Sequence, residues 1–221
     1  MNPISFKSSA RPSLVLAGSL LLTASSQAVL VIAGVTDGDL SGGNPKSIIL
    51  QAQAPIVDLS LWGVGSANNG GGSNGQEFTF PAGSASAGDV IVVAGNLESF
   101  NFFANNFVQN FALFLDVAAS INGDDAIELF NNGSVFDVYG DIDVLGDGES
   151  WDYTDGFATR TGIGVGAFDQ ANYSSNVGAF DTLSEAQHVA IFEAAGFTVV
   201  PEPGSTALLM IGLAGLLRRR R

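Results

Sequence analysis

The chain has 221 residues, 46% of them hydrophobic, with 22 Asp and Glu against 8 Lys and Arg, a formal net charge of −14 and no cysteine. So acidic a protein cannot displace the counterions of nucleic acid, which takes clustered Lys and Arg, and it is poorly matched to anionic lipid headgroups. Without cysteine there is neither a disulfide nor a thiolate zinc site, and His188 is the single histidine on which any Ser-His-Asp or histidine-metal chemistry would rest.

Lys7 and Arg11 open the chain, and Leu14 to Leu22 is apolar apart from Gly18 and Ser19. Ser26 and Ala28 then place small residues where a signal peptidase reads them. Residues 1–28 are expected to be a secretory signal peptide cut between Ala28 and Val29, because the apolar run falls short of the ~20 residues of a membrane span. Residues 29–200 keep twenty-one acids but only Lys46 and Arg160 as bases, a formal charge of about −19. Such a surface suits solubility outside the cell, divalent cations or basic partners.

Short alternating runs punctuated by Gly, Asn, Ser and Asp predict an all-β domain. The expected strands are Val29 to Ala33, Ser47 to Ala52, Val57 to Trp62, Glu77 to Phe80, Val90 to Ala94, Leu113 to Val117, Ala126 to Phe130, Ser134 to Tyr139 and Ala158 to Thr161. Leu59 and Leu61 should give Val57 to Trp62 one apolar face. Gly65 to Gly75 reads as a flexible loop. Asn131-Asn132-Gly133 joins two strands by a tight hairpin, since Asn-Gly supplies the positive φ such turns demand. The Phe100, Phe103, Phe107, Phe111 and Phe114 spacing predicts a short helix around Glu98 to Asn106 covering one end of a sandwich, with its rings in the core rather than lining a ligand groove. A second helix, Leu183 to Ala195, is expected with Thr182 and Glu185 as its capping pair, and His188 on its surface.

The densest acidic run is Asp141-Ile-Asp143-Val-Leu-Gly-Asp147-Gly-Glu149, followed by Asp152 and Asp155. Alternating carboxylates in a glycine-containing loop suit calcium, and Asp141, Asp143 and Asp147 are its candidate ligands. Leu145 breaks the helix-loop-helix calcium pattern, so ordinary turn capping is the competing reading and no cofactor is expected. Arg160 lies among Asp152, Asp155 and Asp169 in sequence and reads as a buried fork binding carboxylates across strands. Trp62 and Trp151 read as core rather than sugar platforms. Catalysis is not expected: twenty-one acids nominate no particular pair, and no nucleophile has a histidine at a suggestive spacing.

The C-terminus carries Pro201-Glu202-Pro203, the apolar Ser205 to Leu217, and Arg218-Arg219-Arg220-Arg221. Two prolines leave an extended peptide suited to a processing enzyme, and the arginines set topology by the positive-inside bias. The segment resembles the PEP-CTERM sorting signal. That resemblance implies cleavage by an exosortase-type membrane protease at the Pro201–Pro203 motif, after a hydrophobic anchor helix has held the chain transiently in the inner membrane.

Asp58-Leu59-Ser60-Leu61-Trp62, Phe78-Thr79-Phe80-Pro81, Gly88-Asp89-Val90-Ile91-Val92-Val93, Asn122-Gly123-Asp124-Asp125-Ala126-Ile127-Glu128-Leu129-Phe130 and the Trp151 to Arg160 block are similar to bacterial lamin-tail-like domains. Ile49 stands where that family usually has a glutamate. The resemblance implies an immunoglobulin-like β-sandwich, an accessory module rather than an enzyme. The expected organisation is a signal peptide at 1–28, a sandwich at 29–165, an extension with a short helix at 166–200 and the sorting signal at 201–221. The expected product is a non-enzymatic surface or matrix protein whose partners are signal peptidase, the processing enzyme and extracellular polysaccharide or envelope components. A calcium-dependent adhesin and a hydrolase accessory protein are the alternatives.

Overall fold

A computed structural model describes residues 29–200. The signal peptide with Ala28, the motif Pro201–Pro203, the anchor segment and Arg218 to Arg221 lie outside the described residues.

Among the described residues, ten strands form two sheets: β1 (Leu30–Asp37), β2 (Ser47–Ala52), β3 (Trp62–Ala67), β4 (Phe78–Thr79), β5 (Val90–Ala94), β6 (Ala112–Leu115), β7 (Ala126–Asn131), β8 (Ser134–Tyr139), β9 (Gly156–Arg160) and β10 (Tyr173–Asn176). The larger sheet has the order β10-β9-β1-β2-β5-β6 and the smaller β4-β3-β7-β8. Every pairing is antiparallel except β5 with β6. A parallel pair needs a crossover, and helix α1 (Leu97–Asn106) is that connection. Helix α2 (Glu185–Ala194) follows β10.

Alternation explains the layering. Ile48 and Leu50 of β2 and Ile91 and Val93 of β5 face Val64, Ile127 and Leu129 in the core between the sheets. Ile49 and Val92, one residue out of step, face the other way, into a second core built from Phe102, Phe103, Phe107, Phe180 and Phe192. The six-stranded sheet is therefore covered on both faces, which is why Ser47 to Ala52 and Val90 to Ala94 read as nearly unbroken apolar runs. The expected helix at Glu98 to Asn106 is present as α1, but it lies over the outer sheet face, not the end of the sandwich. Ile49 follows from that layer, because a carboxylate there would face the phenylalanines. The phenylalanine spacing splits accordingly: Phe103 and Phe107 enter the second core, while Phe114 turns back to Phe78 and Phe80 at 5.8 and 5.4 Å.

Three further segments depart from expectation. Val57 to Trp62 is not a strand: Leu59–Leu61 is a 3₁₀ turn, capped by Asp58, whose Oδ1 accepts from the Ser60 N–H at 2.9 Å, and β3 begins at Trp62. The local Asp and Ser hydrogen bonds outcompete the ladder, leaving Leu59 buried but Leu61 42% exposed. Gly65 to Gly75 is not a free loop. Gly65, Ser66 and Ala67 belong to β3, and a Cβ on Gly65 would stand 2.2 Å from the Gly75 carbonyl oxygen, so glycine there permits close backbone approach. The remainder is tied down by Asn69 N–H to Asp125 (2.9 Å) and Gly72 N–H to the Ile142 carbonyl (2.9 Å).

Helix α2 departs in both its cap and its buried face. Thr182 has φ of 58° and gives its N–H to Asp39, so the capping box is formed instead by Ser184 and Gln187. His188 is fully buried, stacked on Phe180 at 4.5 Å. It shares with Phe192 the helix face turned to the sheet, one helical turn apart. Residues 166–200, set apart in sequence as an extension, supply β10 to the six-stranded sheet and α2 to its outer face. The Asn131 to Ser134 hairpin forms as expected, with Asn132 and Gly133 at φ of 51° and 73°.

Candidate functional site

The two bases of the described region are both internal. Arg160, at the end of β9, reaches across to β8 and pairs with Asp137; their side chains are 8% and 2% exposed. Its partners are not Asp152, Asp155 or Asp169. β1 is irregular between Ile32 and Gly34, and its ladder with β9 begins only at Gly34. At that gap Asp137 accepts the Ile32 N–H (3.0 Å) and Arg160 Nε donates to the Ile32 carbonyl (2.7 Å), so two side chains do the work of a missing stretch of strand. Arg160 also donates to the Gly164 carbonyl and the Tyr173 hydroxyl, with its Cζ 4.6 Å from the Tyr173 ring centroid. The fork across strands is thus real, with the carboxylate supplied by the opposite sheet. Sequence proximity pointed to the wrong acids because Asp137 is brought in by the sandwich itself.

Lys46, just before β2, is buried against Asp37 at the end of β1, Nζ to Oδ1 2.7 Å. Its Nζ also donates to the Ile121 carbonyl (2.5 Å) and Asn122 Oδ1 (3.3 Å), in the turn that enters β7. With Lys46 and Arg160 both committed inward, no exposed base remains among the described residues to offset the carboxylates.

The acidic run after β8 is arranged as turns. Asp141 accepts the Asp143 N–H at 3.1 Å, and Asp152 accepts the N–H groups of Gly148 and Thr154, each at 2.9 Å. Asp141, Asp143 and Asp147 are exposed. Among the described residues no group of three or more His, Asp or Glu side chains is placed to hold a metal ion. Trp62 and Trp151 are 2% and 3% exposed, inside the sandwich core.

An apolar groove of about 620 Å³ lies between α2 and the six-stranded sheet. Ala33 and Gly34 of β1 floor it, and Ile191, Ala194 and Phe197 form its wall. It exists because small residues on β1 face the alanine-rich end of α2, and nothing in the sequence marked it.

Burial pushes the carboxyls of Asp37 and Asp137 above their usual range, against the opposing pull of Lys46 and of the Ile32 N–H and Arg160. Asp124 is raised by burial and then by Asp125, and its Oδ1 is buried without a hydrogen-bond partner. Asp155 is raised by burial and then by Asp39 and Asp181. A folded-state value above the unfolded one means that the native state holds protons longer, so stability declines as pH rises through the window above the ordinary carboxylate range. Self-repulsion of the anionic surface acts in the same direction. Melting should therefore be higher at about pH 5 than at about pH 8. At the higher pH, added salt should raise it up to about 0.15 M, where the Debye length is ~8 Å. A melting temperature that rises from the lower to the higher pH would contradict this reading.

Residues 199–221 match the PEP-CTERM protein-sorting motif. No curated protein matches the chain. The motif marks the chain for export across the inner membrane to the cell envelope or surface and for exosortase processing. No helix among the described residues is long and apolar enough to cross a membrane.

Proposed function

We propose that the exported domain is a non-enzymatic binding or structural module of the extracellular matrix, displayed or released after exosortase-type cleavage and held among polysaccharide or envelope components. The sorting motif at 199–221 is the observation that carries the reading. An exterior without exposed bases among the described residues supports it, since such a surface stays soluble and avoids anionic membranes. The apolar segment Ser205 to Leu217 would halt transiently in the inner membrane with Arg218 to Arg221 on the cytoplasmic side.

We read the sandwich as lamin-tail-like and immunoglobulin-like. The capped Asp58 to Trp62 turn and the buried Trp62 and Trp151 support that relationship; the α1 crossover and the helix layer are additions to the two-sheet plan. Capture of the full exported protein on the producer's own exopolysaccharide and envelope fractions tests the role. Retention on one of them is expected, and passage through all of them would sink it.

Calcium dependence is separated by melting in millimolar calcium and magnesium. A true calcium site stabilises by mass action, about 2.7 kcal/mol at a hundredfold excess over its dissociation constant. Equal responses to the two ions are expected, unchanged in Asp141→Asn/Asp143→Asn, because Asp141 caps a turn through the Asp143 N–H and both side chains are exposed. Calcium-selective stabilisation lost in the double variant would replace this reading with the adhesin one.

A further inference from the structure

Three side chains from different parts of the fold meet at the edge of the core: Lys46 before β2, Asp37 at the end of β1, and Asn122 in the turn entering β7. Lys46 and Asp37 are 9% and 4% exposed, whereas Asn122 faces solvent. Lys46 Nζ lies 2.7 Å from Asp37 Oδ1 and 3.3 Å from Asn122 Oδ1, and the Ile121 carbonyl at 2.5 Å fixes its position. An amine held beside an amide carbonyl, with a buried carboxyl within proton-transfer reach of the amine, is the arrangement that transamidation needs. From this geometry we infer that Lys46 and Asn122 become joined by an intramolecular amide bond, with Asp37 as the proton carrier.

The steps balance without any added reactant. The Lys46 ammonium passes one proton to the Asp37 carboxylate. The neutral Nζ attacks Asn122 Cγ, the carbonyl electron pair moves onto Oδ1, and Nζ loses a further proton as the tetrahedral centre collapses. The C–Nδ2 bond breaks, Nδ2 takes up the protons through Asp37, and nitrogen leaves as ammonium into the solvent that Asn122 faces. An amide between Nζ and Cγ remains, and Asp37 is a carboxylate again. Burial, which pushes the Asp37 carboxyl up, favours the protonated form required midway. The two partners are 76 residues apart and belong to segments leading into opposite sheets, so the bond would lock the sandwich in a chain that has no cysteine. Outside the cell, where disulfides usually serve this purpose, such a lock resists unfolding and proteolysis.

The full chain, purified and measured as an intact protein, should be lighter than its processed sequence by one ammonia. After denaturation, trypsin should cut residues 29–200 at Arg160 but not at Lys46, leaving residues 29–160 as one internally closed peptide. Further digestion with chymotrypsin, which cuts at the aromatic residues between them, should release a branched peptide linking Lys46 to Asn122. Asn122→Ala, a change at an exposed position, should restore the full mass and cleavage at Lys46, and Asp37→Asn should do the same. Full mass with cleavage at Lys46 in the wild type overturns the proposal. So does loss of ammonia with Lys46 still cleaved, which would be a succinimide at Asn122-Gly123. Loss of one water, mapping to Lys46 and Asp37, overturns it as well.

Discussion

Arg160→Met should destabilise the domain by about 3–5 kcal/mol, since it leaves the Asp137 charge buried without its partner. Asp137 is 2% exposed, and in the variant it would keep only the Ile32 and Gly166 N–H groups as partners. The Ile32 carbonyl would lose its donor in the same change. Urea unfolding of the full chain measures the effect as a lower midpoint at unchanged slope. A double change, Arg160→Met with Asp137→Leu, should cost clearly less than the sum of the single ones, because no buried charge is then stranded. A loss below about 1 kcal/mol for Arg160→Met would show that the pair behaves like a surface salt bridge and that the gap in β1 is held by something else.

Changing Arg218 to Arg221 together to serine should remove most of the protein from its processed, surface-located form. The four arginines end an apolar stretch of only thirteen residues, Ser205 to Leu217, which spans about 20 Å as a helix. So short a segment depends on flanking cations to stop and orient it, and serine provides neither the cytoplasmic bias nor the snorkelling stem. Fractionation of producing cells should find the variant unprocessed, while the wild type is cleaved. Equal processing of both would mean that Pro201-Glu202-Pro203 and the apolar segment suffice for sorting.

The parts of this protein that were readable in its sequence are those set by local chemistry. The Asn132-Gly133 turn needs positive φ and announces itself, and β2, β5 and β8 take their predicted limits because their apolar runs end at turn residues. The sorting signal was readable for the same reason, as its parts follow one another in order. What escaped depends on neighbours distant in sequence. β10 is Tyr-Ser-Ser-Asn, with no apolar alternation; only pairing with β9 makes it a strand. His188 looked exposed because a lone polar residue on a short helix gives no sign of the sheet beneath, yet the i, i+4 step to Phe192 was the available signal. Arg160 is the buried fork that a lone arginine among acids suggests, but its acid comes from the opposite sheet, 23 residues away along the chain. The groove beside α2 arises from Ala33, Gly34 and Ala194 being small where two elements meet, and no single segment encodes that.

Export followed by removal of the tail is the premise on which the functional account rests, and the C-terminal residue of the exported protein tests it directly. Mass spectrometry of material recovered from the envelope and medium should find an N-terminus at Val29 and a C-terminus within or beside Pro201-Glu202-Pro203, with the apolar segment and the arginines gone. A mature product that still carries Arg221 would contradict the account.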